Sequence, residues 1–146
     1  MKINITKAEL EAKGGKVAPE HEQNFMNFWS RINIFREQCG IPMIVSSYYR
    51  TREDQIRIYK KKAEMKQSPF ENGIYDEKKV PFGSNHMLGL ACDFSGSTVQ
   101  RLKAWILENI SWCKEFGFYF EDFDSTPTWL HIQTVPPASG KTFFKP

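Results

Sequence analysis

The 146-residue sequence predicts an α+β fold with a small, mainly antiparallel sheet flanked by helices. Three observations predict it. Two long stretches carry apolar residues at three-to-four spacing, as amphipathic helices do. Four short β-branched or aromatic runs lie between turn residues, as strands do. The last two of those runs are separated only by an acidic turn, which suits antiparallel neighbours.

The first helix is expected from Pro19 to Cys39, where Phe25, Phe28, Trp29, Ile32 and Phe35 share a face and Gly40 supplies the stop. The run from Ile41 to Ser47 reads as a strand entering a polar turn at Tyr48-Tyr49-Arg50. Thr51 with Asp54 resembles a helix start, and that mostly solvated helix runs through Ile56 and Tyr59 to Lys60-Lys61-Lys62, whose charge complements the helix dipole. Periodicity then disappears from Gln67 to Ser84, a loop rich in Pro and Gly that is expected to be mobile. Leu90 to Phe94 is the second strand. Ser97 and Gln100 are expected to form a capping box for a helix carrying Val99, Leu102, Ile106, Ile110 and Cys113, ended by Gly117. Phe118–Glu121 and Trp129–Gln133 complete the sheet around the turn from Asp122 to Pro127.

Composition sets the outer limits. With 40% hydrophobic and 25% charged residues, residues 1–146 suit a single domain built on one core. Twelve Phe and four Trp argue against disorder, and the apolar runs are too short to enter a bilayer as a span. A net charge of +3 is too small and scattered to indicate nucleic acid as a partner. A monomer is expected. Residues 1–16 lack the apolar centre of an export signal, so synthesis in the cytoplasm is expected. Cys39, Cys92 and Cys113 form no CxxC pair and read as core thiols in a reducing compartment.

The chemistry concentrates around two of the three histidines. His86 and Asp93 lie in the segment Ser84-Asn85-His86-Met87-Leu88-Gly89-Leu90-Ala91-Cys92-Asp93, and His131 in Trp129-Leu130-His131. His21, at a polar helix start, reads as structural. In a strand from Trp129 to Gln133, period-two alternation sends Leu130 and Ile132 to the core and leaves Trp129, His131 and Gln133 on a face able to line a cleft. Asp93 stands in an apolar strand, where an ionised carboxylate is expensive unless a cation compensates it. Cys92 points to the opposite face. Two imidazoles and one carboxylate make a three-ligand set of the kind zinc enzymes use, with a fourth position open. A carboxylate near the ion must then act as general base, and Glu121, Asp122 and Asp124 are near enough in sequence to supply it.

These segments fit S-x-H-x-x-G-x-A-x-D followed by W-x-H, which resembles the metal-binding motifs of the zinc D-Ala-D-Ala carboxypeptidases and L-Ala-D-Glu endopeptidases of peptidoglycan. The hedgehog signalling domain shares their fold. Upstream, Ser46-Ser47-Tyr48-Tyr49-Arg50 with Gln55 and Tyr59 resembles the S-G-Y-R…Q…L-Y element of the same family, with Ser47 where Gly is usual. The resemblance covers about residues 40–135, and the segments 126–133 and 139–141 also look like bacteriophage-encoded members. It implies a hedgehog/D-Ala-D-Ala-peptidase fold, Zn2+ on His86, Asp93 and His131, and substrate contacts from Arg50, Gln55 and Ser84. Arg50 suits that role because a guanidinium grips a carboxylate by two parallel hydrogen bonds. The implied activity is hydrolysis of an amide bond in peptidoglycan stem peptides, by an endolysin-like or wall-remodelling peptidase reaching the wall after holin-type release or delivery from a virion.

One position departs from the family. The catalytic acid commonly lies three residues before the last histidine, and Thr128 occupies that place, where it cannot serve as a base near neutral pH. Glu121, at a strand end, is the first candidate for the base and Asp124 the second. The alternative function is a non-catalytic, metal-containing wall-binding or virion module of the same fold.

Overall fold

The computed structural model describes residues 4–11 and 16–146, and part of the N-terminal stretch read above therefore lies outside the described residues. The chain forms helices α1 (Lys7–Glu11) and α2 (Glu22–Cys39), strand β1 (Ile44–Ser47), helices α3 (Arg52–Glu64) and α4 (Asn85–Leu88) and strand β2 (Ala91–Ser95). Helices α5 (Val99–Glu108) and α6 (Ile110–Glu115) and strands β3 (Tyr119–Glu121), β4 (Leu130–Gln133) and β5 (Phe143–Phe144) follow. The strands make one sheet in the order β1-β2-β4-β3-β5, antiparallel throughout except for the parallel β3–β5 pair. The α+β class is therefore observed, with six helices and a five-stranded, mostly antiparallel sheet among the described residues.

Alternation along the strands gives the sheet one apolar face. Val45, Cys92, Phe94, Phe120, Leu130 and Ile132 are all buried in the main core, against Ile32 and Phe35 of α2 and Leu102 and Ile106 of α5. Helix α2 spans that face. Phe28 stacks on Tyr48 beyond the end of β1, while Phe35 meets Phe118 and Phe120 edge-on or tilted at β3. Burying each such aromatic contributes on the order of 2–3 kcal/mol before entropy is counted. The opposite face of the sheet carries the polar residues.

Helix α3 starts as its sequence indicates. Thr51 accepts from the Asp54 N–H, and the Asp54 carboxylate accepts from the Thr51 N–H and hydroxyl, which makes a complete capping box. Helix α5 does not. Ser97 is exposed, Thr98 is the N-cap without a side-chain cap, and Gln100 instead donates to the Pro127 carbonyl. The Thr98 hydroxyl is spent on the Pro42 carbonyl at 2.7 Å, which ties the helix start to the segment before β1. The single helix expected through Cys113 is also broken, at Asn109, whose side chain donates to the Trp105 carbonyl at 2.9 Å and competes with the helical pattern there.

Strand β1 begins at Ile44 rather than Ile41, because Pro42 has no N–H to give a ladder. The long loop after α3 is more structured than its composition suggests. Phe70 and Val80 are buried with Ala63 in a second small cluster, ringed by Tyr59, Tyr75 and Phe82. Strand β5 and helix α1 have no counterpart in the sequence reading.

The capping box gives a test of the local energetics. Burial works to raise the Asp54 carboxyl, but hydrogen bonds from Thr51 and the neighbouring Arg57 outweigh it and hold the group below its ordinary value. A depressed carboxyl stabilises the fold above its unfolded pKa, and that contribution is lost as pH falls through the folded value. Thr51→Ala should cost about 1 kcal/mol. Asp54→Asn should show its loss at neutral pH and converge on the wild type in acid, both read by urea denaturation at a series of pH values.

Candidate metal centre

The polar face of the sheet places its functional side chains in one row. Ser47 of β1 is in register with Asp93 of β2, and Asp93 with His131 of β4. Tyr119 and Phe120 of β3 pair with Gln133 and Ile132, so the next step along β3 brings Glu121 beside His131. Glu121 is itself in register with Phe144 of β5. A row of adjacent strand positions thus runs from Ser47 through Asp93, His131 and Glu121 to Phe144.

His86 enters this row from outside the sheet. It lies on the one-turn helix α4, whose start is capped by the Ser84 hydroxyl and whose end is the left-handed Gly89, with φ of 75°. A side chain at Gly89 would be strained by that φ, and its Cβ would stand 3.1 Å from the Tyr48 hydroxyl, which donates to the Gly89 carbonyl. This tight exit joins α4 directly to β2. The His86 Nδ1–H donates to the Tyr48 carbonyl at 2.7 Å, which turns Nε2 toward Asp93 Oδ2 at 3.4 Å. A ring nitrogen oriented by a backbone carbonyl in this way is the usual preparation of a metal-ligating histidine.

On the other side of Asp93, His131 Nδ1 lies 2.9 Å from Oδ1 and 3.7 Å from Glu121 Oε1. The two imidazoles meet edge to face, with centroids 5.3 Å apart. Phe144 packs edge-on against His131. Burial acts to raise the Asp93 carboxyl, but the charge and hydrogen bonds of His86 and His131 hold it well below the carboxylate range. Burial pulls the His131 imidazole down, yet Asp93 and then Glu121 raise it overall.

Glu121 behaves in the opposite sense to Asp93. Burial pushes its carboxyl above the ordinary value, with His131 opposing and the Asp93 charge reinforcing that push. The imidazoles of His86 and His131 keep only 8% and 6% exposure, while Asp93 keeps 15%, Arg50 18% and Glu121 19%. The centre therefore opens to solvent along its two carboxylates and the guanidinium.

Arg50 belongs to this group. Its Nε–H donates to the Ser47 hydroxyl at 3.2 Å, Nη1 approaches Gln55 Oε1 at 3.4 Å, and Nη2 lies 3.7 Å from Asp93 Oδ2. Gln55 is fully buried and donates to the Pro81 carbonyl, so it braces Arg50 against the long loop. Ser84 is half-buried and positions His86 through the α4 cap.

Asp124 and Thr128 are not brought into the centre. Both are exposed on the turn between β3 and β4, and the charge of Asp124 acts on Lys103 instead, whose ammonium burial lowers against that opposing attraction. The physical reason is that the turn leaves the sheet after Glu121, so only the last residue of β3 can reach His131. His21 bonds to the Tyr49 hydroxyl, outside the group. Cys92 lies on the core face, as alternation requires. Phe144 was missed in the sequence because a two-residue strand gives no periodicity to read.

The donor set fits a metal ion. One ligand atom from each of His86, Asp93 and His131 lies within 4.8 Å of the other two. A tetrahedral ion with ligands at about 2.1 Å sets neighbouring ligand atoms about 3.4 Å apart. The 3.4 Å separation of His86 Nε2 from Asp93 Oδ2 matches that figure, while His131 Nδ1 lies at hydrogen-bond distance, 2.9 Å, from the other oxygen, Oδ1. The group could therefore hold a metal ion.

Binding should appear as stability. Zn2+ at about a hundred times its dissociation constant should add about 2.7 kcal/mol to unfolding. The thermal midpoint should rise accordingly in the wild type and stay fixed in His86→Ala. An equal rise in that variant would show that the ion binds elsewhere. Compared with family models, curated proteins and solved structures, the chain matches none, and the case for this centre rests on its own side chains.

Proposed function

We propose that the protein is a zinc-dependent peptidase that hydrolyses an amide bond in peptidoglycan stem peptides. The observation that carries this reading is the placement of Glu121, a carboxyl that burial holds above its ordinary pKa, 3.7 Å from a candidate metal ligand at the open side of the centre. A purely structural metal site has no use for such a group. Two imidazoles and one carboxylate with a fourth position free favour zinc. The motif resemblance of residues 84–93 and 129–131 supplies the substrate class.

When bound, zinc supplies a Lewis acid that polarises a carbonyl and lowers the pKa of water. The chain's residues do the rest. Glu121 takes a proton from the attacking water as the carbon–oxygen bond forms, and returns it to the nitrogen as the carbon–nitrogen bond breaks. Arg50, held by Ser47 and Gln55, still has N–H donors to grip a carboxylate of the stem peptide by parallel hydrogen bonds. Asp93 stays ionised throughout, because both imidazoles face it.

The endolysin-like setting, with a protein made in the cytoplasm and released to the wall, belongs to the same proposal. Among the described residues no helix is long and apolar enough to cross a membrane.

Mass spectrometry of fragments released from purified peptidoglycan, with chelator and zinc add-back, tests the activity and identifies the bond cut. Glu121→Gln should keep zinc and lose about 10²- to 10⁴-fold in rate. Asp124→Asn and Thr128→Ala should work as the wild type does. A zinc-loaded wild type that releases no fragment would overturn the peptidase reading in favour of a binding or virion module.

A further inference from the structure

The Nε2 side of His131, turned away from Asp93, is occupied by Gln133, two residues along β4 on the same face. His131 Nε2 lies 2.8 Å from Gln133 Oε1, and the Gln133 amide nitrogen donates to the Val135 carbonyl at 2.9 Å. The backbone carbonyl can only accept. It therefore fixes the direction of the whole chain: the amide must turn its NH2 to Val135 and its oxygen to His131. An amide oxygen can only accept as well, so His131 Nε2 must carry the proton.

The alternatives are each penalised. A flipped amide would set its oxygen against the Val135 carbonyl oxygen. The other imidazole tautomer would set a bare Nε2 against Gln133 Oε1 at 2.8 Å. With Nε2 protonated in either case, Nδ1 faces Asp93 Oδ1 at 2.9 Å as the second N–H of an imidazolium, or, in the neutral ring, as a lone pair that Asp93 and Glu121 repel unless a metal cation lies between them. The anchor is itself held in place. The Arg31 guanidinium donates to the Thr134 carbonyl at 2.9 Å, and the Thr134 N–H donates to the Leu90 carbonyl. Gln133 is 2% exposed, so water does not compete for these bonds.

We propose that Gln133 is a positioning residue that locks His131 as the Nε2–H tautomer and so presents Nδ1 to the metal. This rests on the metal-centre reading above. Gln133 acts through His131 and touches no substrate. Residues that orient a metal-ligating histidine typically contribute about 10- to 100-fold in metal affinity.

The test uses the whole chain, with Gln133→Met as a variant of similar shape lacking both amide groups and Gln133→Glu as one that keeps an acceptor. Zinc affinity is measured by competition with a chromophoric chelator. The His131 tautomer is read by 15N NMR of histidine-labelled, metal-free protein at a pH where the imidazole is neutral. Gln133→Met should bind zinc about 10- to 100-fold more weakly and show mixed tautomers. Gln133→Glu should keep the Nε2–H tautomer. Wild-type zinc affinity in Gln133→Met with an unchanged tautomer would overturn the proposal. Should Gln133→Met fail to fold, mixed tautomers in Gln133→Glu would overturn it equally. Failure of the wild type to bind zinc would instead overturn the metal-centre reading, while the tautomer comparison would still decide the role of Gln133.

Discussion

A carboxylate on an interior strand of the sheet, ionised and largely withdrawn from water, is the constraint around which this protein is arranged. Asp93 would be costly in an apolar strand, and the fold offsets that cost from several directions. His131 comes from the neighbouring strand, His86 from a one-turn helix, and Arg50 from the end of β1. Each needs its own support: Gly89 for the turn after α4, the Tyr48 carbonyl for the His86 ring, and Ser47 with Gln55 for Arg50. Large parts of the structure thus serve one negative charge.

The same geometry separates two acidic groups that sequence distance alone would treat alike. Glu121 and Asp124 are three residues apart. Glu121 ends a strand paired to the one bearing His131, where burial and the Asp93 charge make it harder to ionise. Asp124 lies past the strand on an exposed turn and keeps company with Lys103. Opposed environments for Asp93 and Glu121, one carboxyl depressed and one raised, would suit chemically similar groups to the separate tasks of ligand and base in the proposed reaction.

Much of this was legible in the sequence, because strand alternation is a local rule. It put Asp93 opposite to Cys92, and His131 opposite to Leu130 and Ile132, and the Thr51-to-Asp54 spacing marked the start of α3. What escaped depended on partners remote in sequence. Thr98 gives its hydroxyl to Pro42 instead of capping α5, and Asn109 breaks a helix whose apolar spacing continues through it. Phe144 reaches His131 only because β5 returns parallel to β3, which no pattern in two residues announces. Gln133 was visible on the correct face, but the direction of its amide is decided by a backbone carbonyl.

The row of side chains across the sheet also governs when the centre can exist during folding. Asp93 and His131 are 38 residues apart in the chain yet adjacent across β2 and β4, and β5 must close on β3 before Phe144 covers His131. Pairings between distant segments carry loop-closure entropy and form slowly. The helices can form early from local contacts, whereas the centre appears only with the last, least local pairings of the sheet. A newly made chain would therefore acquire its chemistry late and all at once, after the topology is complete.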